Sequence, residues 1–265
     1  PSHLYRRMLT HSLFALPILS AALAAGYRRF FPNLTFRAAW GLWALGMLLH
    51  VFFDLVNSYG VVLLYPLRHR FELASVFIID LALWALMLAP LALMMVKSQR
   101  PKLRRFSQVS AVLVAVYVAG CLGLRGVSSW GFNRFQIQVG LRPTFSYVFP
   151  EPFGPFRFRG VIRKDDIYRI YQIKPLGRDV VKFSEVRTQA HLPNARRIVE
   201  TDMGRDLSRF FKAPVMQLLS EPGVSPERWV MWDLRFGSTL LKRENLFRYG
   251  FEVSGEEVTF VGRVP

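Results

Sequence analysis

The chain has 265 residues, 52% of them hydrophobic, with 35 lysines and arginines against 18 acidic residues and a formal net charge of +17. Such a charge suits a nucleic-acid binder, but a membrane protein with basic loops accounts for it more simply, and nucleic acid is not expected as a partner. The single cysteine, Cys121, excludes a disulfide within the chain.

The charge is unevenly placed. Residues 1–124 carry twelve basic residues and only three acidic ones, Asp54, Glu72 and Asp80, whereas residues 125–265 carry 23 and 15. The first half is therefore apolar with basic punctuation, and the second reads as an ordinary polar segment. The chain starts at Pro1 rather than at a methionine, so a fragment with residues upstream is expected.

A bilayer core takes roughly 20 apolar residues in a helix. Four runs are candidates. The first, "SLFALPILSAALAAGY" at residues 12–27, is short, and it extends to Phe31 if Arg28 and Arg29 snorkel. The second covers residues 38–56. The third is "LASVFIIDLALWALMLAPLALMMV" at residues 73–96, and the fourth is "VSAVLVAVYVAGCLGL" at residues 109–124. Pro17 and Pro90 are tolerated in membrane helices. The basic connectors "YRRFFPNLTFR" and "KSQRPKLRRF" then share one side of the membrane.

From about Arg125 the pattern changes. The segments "RFQIQVGL", "FRFRGVIR" and "IYRIYQI" alternate or are rich in aromatic and β-branched residues, which predicts strands. "PEPFGP" is a turn. "TDMGRDLSRFF" predicts a short helix capped by Thr201 or Asp202. "RWVMWDLRFG" and "EVTFVGRV" predict further strands. The expected architecture is an α+β membrane protein. A bundle of about four transmembrane helices fills residues 1–125, and a small β-rich extramembrane domain fills residues 126–265.

The polar residues inside the apolar runs are the chemical signal. In "LLHVFFDLVNSYGVVLLYP", at residues 48–66, His50 and Asp54 are four apart and Asn57 is seven after His50. All three share one helix face. Asp80 is expected nine residues into the third helix counted from Phe71, on the order of 14 Å in, and His11 opens the first helix. An aspartate at the centre of a membrane helix costs roughly 2.5–3.5 kcal/mol, and such residues usually face the bundle interior and serve a function. Histidine nitrogens with carboxylate oxygens suit zinc, with manganese and iron as alternatives. His11, His50, Asp54 and Asp80 are thus the candidate ligands. The competing reading makes His50–Asp54 a hydrogen-bonded packing pair, His11 a helix-end residue, and Asp80 a partner of Arg68 or Arg70. His3, His69 and His191 read as surface residues. A proton or ion pathway through Asp54 and Asp80 is a further alternative, disfavoured because the polar groups cluster on one side.

The pieces "RMLTHS" (residues 7–12), "LLHVFFDLVNSYGVVLLYP" and "FIID" (residues 77–80) together resemble the membrane-bound metal-dependent hydrolases of the YdjM-like, LexA-binding, inner-membrane-associated family. In the tail, "APVMQLL" and "WDLRFG" resemble the β-rich extension of one branch. The resemblance implies an integral protein of the bacterial inner membrane whose metal site hydrolyses a phosphoester or lipid-like substrate. Its ligand logic is that of zinc phospholipase C and related nucleases. In this hydrolase reading, Arg7 holds an anionic substrate group and Asn57 or Tyr59 orients substrate. The sequence departs from the family pattern at Arg6 and Met8 before "LTHS", and at Ala74 and Leu81 around "FIID". Membrane lipid and a small-molecule or lipid-like substrate are the expected partners, with a protein partner open to the C-terminal domain. The alternative is a non-catalytic membrane protein whose buried His and Asp residues fix helix packing. No G-x-S-x-G elbow, Walker loop, C-x-x-C or dinucleotide fingerprint is present.

Overall fold

A computed structural model describes residues 9–67, 69–95, 102–177, 179–221, 224–242 and 247–264. The chain divides into two compact units, residues 1–78 and 79–265.

The first unit is built on two helices, α1 (Leu16–Arg28) and α2 (Phe36–Val56), preceded by a 3-10 turn at Leu9–His11. Pro17 sits at the start of α1, where its missing N–H costs nothing. Thr35 caps α2, its hydroxyl accepting from Ala38 N at 3.3 Å. The buried residues Ser20 and Ala24 of α1 and Ala39 of α2 are small, which lets the two backbones approach. Trp40 Nε1 donates to Pro17 O at 3.2 Å and fastens the pair.

The segment after α2 folds back onto the helix end. Gly60 turns the chain at φ +72°, a conformation that side chains disfavour. Val61 and Phe71 then pair antiparallel. The amides of Leu73, Ser75 and Val76 donate to Leu55 O and Val56 O at 2.7–3.1 Å. These are last-turn carbonyls that a helix leaves without partners. Val61, Val62, Ala74 and Val76 are buried by this return.

The second unit starts with α3 (Leu81–Met94) and α4 (Leu103–Gln138). Ser110 Oγ donates to Leu86 O at 2.5 Å between them. The third run is thus helical only from Leu81, not from residue 73, because Asp80 is its N-cap: the carboxylate accepts from Leu83 N at 3.0 Å. The segment "RFQIQVGL" is a second correction. Through Gln138 it is the end of α4, and the first strand comes only at Phe145. Its alternation of apolar and polar residues serves a helix here because Phe132, Phe135 and Gln136 face the sheet. Four membrane helices are more than the structure supports. Among the described residues, α2 and α4 are long and apolar enough to cross a bilayer, and α3 is shorter. Their most apolar windows are 22% and 11% buried within the protein, so they are not the covered core helices of a soluble fold.

Two antiparallel meanders follow. The first sheet runs β1 (Phe145–Pro150), β2 (Phe158–Lys164), β3 (Ile167–Lys174) and β4 (Asp179–Arg187), in chain order. Helices α5 (Pro193–Glu200) and α6 (Asp202–Phe210) connect it to the second. Thr201 caps α6 as predicted, accepting from Gly204 N at 3.0 Å. The second sheet runs β5 (Pro214–Leu218), β6 (Glu227–Asp233), β7 (Arg248–Ser254) and β8 (Glu257–Val264).

One core joins the sheets, with Phe149, Val161 and Ile170 from the first and Val215, Val230 and Trp232 from the second. A second core lies where α4 meets the first sheet, with Phe132 among Val148, Phe158, Ile162, Tyr171 and Ile173. Gly160 makes that contact possible: a Cβ there would lie 2.5 Å from Phe132 Cζ. Gln136 Nε2 adds a hydrogen bond to Ser146 Oγ at 3.0 Å. The expected division at residues 125/126 is therefore no break in the backbone, since α4 runs straight through it.

Buried charges lock the strand ends. Glu151 accepts from Ser238 Oγ, Thr239 N and Thr239 Oγ1 at 2.5–3.0 Å. Asp233 accepts from the amides of Lys212, Ala213 and Arg235 at 2.8–3.0 Å. Such groups are tolerated in a core only when their hydrogen bonds are met.

Candidate metal centre

Three of the predicted residues meet in the first unit. His50 and Asp54, one turn apart on α2, point the same way, and the turn Leu9–His11 brings His11 against them. His11 Nε2 lies 3.2 Å from Asp54 Oδ2 and 3.2 Å from His50 Nε2. His50 Nε2 lies 3.9 Å from Asp54 Oδ2. The two imidazoles are tilted, with centroids 5.1 Å apart. His11 is held in place by its own strand of chain, because Leu13 N donates to Leu63 O at 2.9 Å and ties the turn to the segment that folds back after α2.

The donor set matches a tetrahedral cation. Nitrogen and oxygen ligands at about 2.0–2.2 Å from one ion lie about 3.3–3.6 Å from each other. The three observed separations bracket that range. Two histidines and one carboxylate are also the ligand count of a hydrolytic zinc centre, which keeps its fourth position open. The exposure is asymmetric: Asp54 is buried and the His50 side chain is 66% exposed. The cluster is thus open on the His50 side.

Two further residues orient the donors. Thr10 Oγ1 lies 2.9 Å from His11 Nδ1, which leaves Nε2 to face the cluster. Asn57 Nδ2 donates to Asp54 Oδ1 at 3.4 Å, which leaves Oδ2 for the histidines. Outer partners of this kind fix the tautomer and aim of metal ligands. Asn57 Oδ1 also accepts from Tyr59 N at 2.7 Å, closing the turn after α2. The orienting role of Thr10 was not read from sequence. Its signal is a hydroxyl residue directly before the histidine.

Asp80 stands apart from the expectation. It is the cap of α3 rather than a mid-helix residue, and its second oxygen accepts from Tyr117 Oη at 2.7 Å. Both its oxygens are engaged by partners within the second unit. Arg7 and His3, and the suggested Asp80 partner Arg68, lie outside the described residues. His191 does not act as a ligand in this cluster; its Nδ1 lies 3.0 Å from Asp166 Oδ2. Among the described residues, His11, His50 and Asp54 form the one group with metal-ligand spacing.

Fold and site together give an α+β protein with two helices of membrane-crossing length and a histidine–carboxylate cluster formed by α2 and the turn before α1. Residues 2–129, which hold that cluster, match the family model described as YdjM inner membrane protein. The resemblance read from "RMLTHS" and the residue 48–66 block is borne out over this stretch; residues 130–265 lie beyond the match. No curated protein and no solved structure matches the chain.

Proposed function

We propose that the chain is an integral inner-membrane protein that holds a divalent cation, zinc first, at His11, His50 and Asp54, and that it hydrolyses a phosphoester or lipid-like substrate at the membrane surface. The observation that carries this reading is the spacing of three donor atoms from two separate segments, at 3.2–3.9 Å, within a few tenths of an ångström of the edges of one coordination tetrahedron. A cation bound there would supply Lewis acidity and a water of lowered pKa. The chain's own residues do the rest. His11 and Asp54 form the buried wall of the site, and His50 lines its open side. Thr10 and Asn57 hold the aim of His11 Nε2 and Asp54 Oδ2. Arg7 is the candidate for binding an anionic substrate group.

A second reading has its own observation. His11 Nε2 and Asp54 Oδ2 at 3.2 Å are already at ion-pair distance, so the trio can serve as a packing device in a non-catalytic protein. Elemental analysis of purified full-length protein separates the two. Wild type is expected to carry about one equivalent of metal, and His50→Ala and Asp54→Asn far less while still inserting and folding. Asp54→Asn retains a hydrogen-bonding side chain, so a packing device would leave metal content unchanged. Wild-type protein that takes up neither zinc nor manganese overturns the hydrolase reading.

A further inference from the structure

Past its apolar run, α4 continues into the second core, and its outer side there forms a cavity with the first sheet. The cavity encloses about 700 Å³ and is lined by Val127, Trp130, Arg134 and Phe135 of α4 and by Lys174 and Val181 of the sheet, among others. Ligand pockets typically enclose about 300–1,000 Å³. Its walls mix apolar side chains with two cations. Arg134 folds back so that its guanidinium lies 5.6 Å from the Trp130 ring centroid. Among the described residues, neither Arg134 nor Lys174 has a carboxylate within ion-pair distance. The one acidic lining residue, Asp179, turns its carboxylate toward Gly177, 3.1 Å from where a Cβ would stand.

Depth identifies the occupant. If α4 crosses the bilayer from about Phe106, then roughly 20 residues at 1.5 Å each bring the chain out near Arg125. Val127 and Trp130 then fall at headgroup level, where tryptophan is favoured. The stacking of Arg134 on Trp130 draws its charge down to the same level. Trp130 is exposed, so the cavity mouth has an aromatic edge and a basic rim beside the lipid.

We propose that this cavity binds the phosphate-bearing headgroup of an anionic phospholipid of the surrounding bilayer. Arg134 and Lys174 meet the phosphate, and Trp130, Phe135 and Val181 meet the glycerol and upper acyl carbons. The site rests on the bilayer placement of α4 proposed above, and it is separate from the His11–His50–Asp54 cluster.

The test uses the full chain, delipidated in a neutral detergent and titrated with phosphatidylglycerol or phosphatidylcholine, with bound lipid counted by native mass spectrometry. One phosphatidylglycerol is expected to bind in preference to phosphatidylcholine. Two basic groups near the membrane, each contributing about fivefold, set that preference at about 30-fold. Arg134→Gln with Lys174→Gln should abolish the preference, and Lys174→Gln alone, at an exposed strand end, should reduce it by about fivefold. Equal binding of the two lipids by wild type, a preference undiminished in Lys174→Gln or surviving in the double variant, or displacement by millimolar inorganic phosphate each overturns the proposal. Failure of the bilayer placement has a separate readout, in compartment reporters on the two ends of α4.

Discussion

Two side chains beside the donors are expected to govern how well the His11–His50–Asp54 cluster works. Thr10 and Asn57 aim His11 Nε2 and Asp54 Oδ2 at a common point. Thr10→Val and Asn57→Ala should each weaken zinc binding by about 10–100-fold, as losing an orienting partner of a metal ligand does. Thermal unfolding of Thr10→Val should stay close to wild type, because valine fills the same volume on an exposed turn. A zinc affinity unchanged in both variants, measured by competition with a chromophoric chelator, would remove them from the site. His50 and Asp54 were legible in the sequence because their relation is local: four residues on a helix fix a shared face. His11 was legible through its motif. Asp80 is buried, but it was misread as a mid-helix residue. An apolar run preceding an aspartate looks continuous in sequence, and only the hydrogen bond from Leu83 N shows that the helix begins after it.

The decisive contact at the scale of elements is α4 against the first sheet. Phe132 occupies the space that a side chain at position 160 would need. Gly160→Ala should therefore destabilise the fold by about 1–3 kcal/mol, the usual cost of overpacking. Phe132→Ala alone should cost about 3–5 kcal/mol. In the Phe132→Ala background, the alanine at 160 should cost almost nothing, a coupling that a double-mutant cycle in detergent would measure. Additive effects would mean that the two positions do not share this space. This contact could not be read from the chain. The stretch "RFQIQV" alternates like a strand, and its helical state is decided by Phe158, Ile162 and Tyr171, which lie far along the sequence. The hairpins were legible because each carries its own turn and its own alternation. The buried charges were not, since Glu151 meets Ser238 and Thr239 across almost 90 positions.

For the whole molecule, the elements that cross the bilayer set the topology. The apolar runs suggested four passes, whereas among the described residues α2 and α4 reach a crossing length. Reporter fusions at Lys102 and Val264, on either side of α4, should report opposite compartments, whatever the shorter helices do. The same compartment at both would place α4 flat on the membrane or away from it. The length of α4 has a mechanical consequence. It is one rod of 36 residues, about 54 Å at the helical rise, and it contains no proline. Its far end is gripped by the sheet at Phe132 and Gln136. A domain on a slack tether can swivel, but the sheets here have no such freedom about the end of α4. Any twist of the rod about its long axis reaches the β region undiminished, at about 100° for each residue of rotational slip. The depth and azimuth of α4 in the lipid therefore steer where the sheets point, as a shaft sets the heading of what is keyed to it.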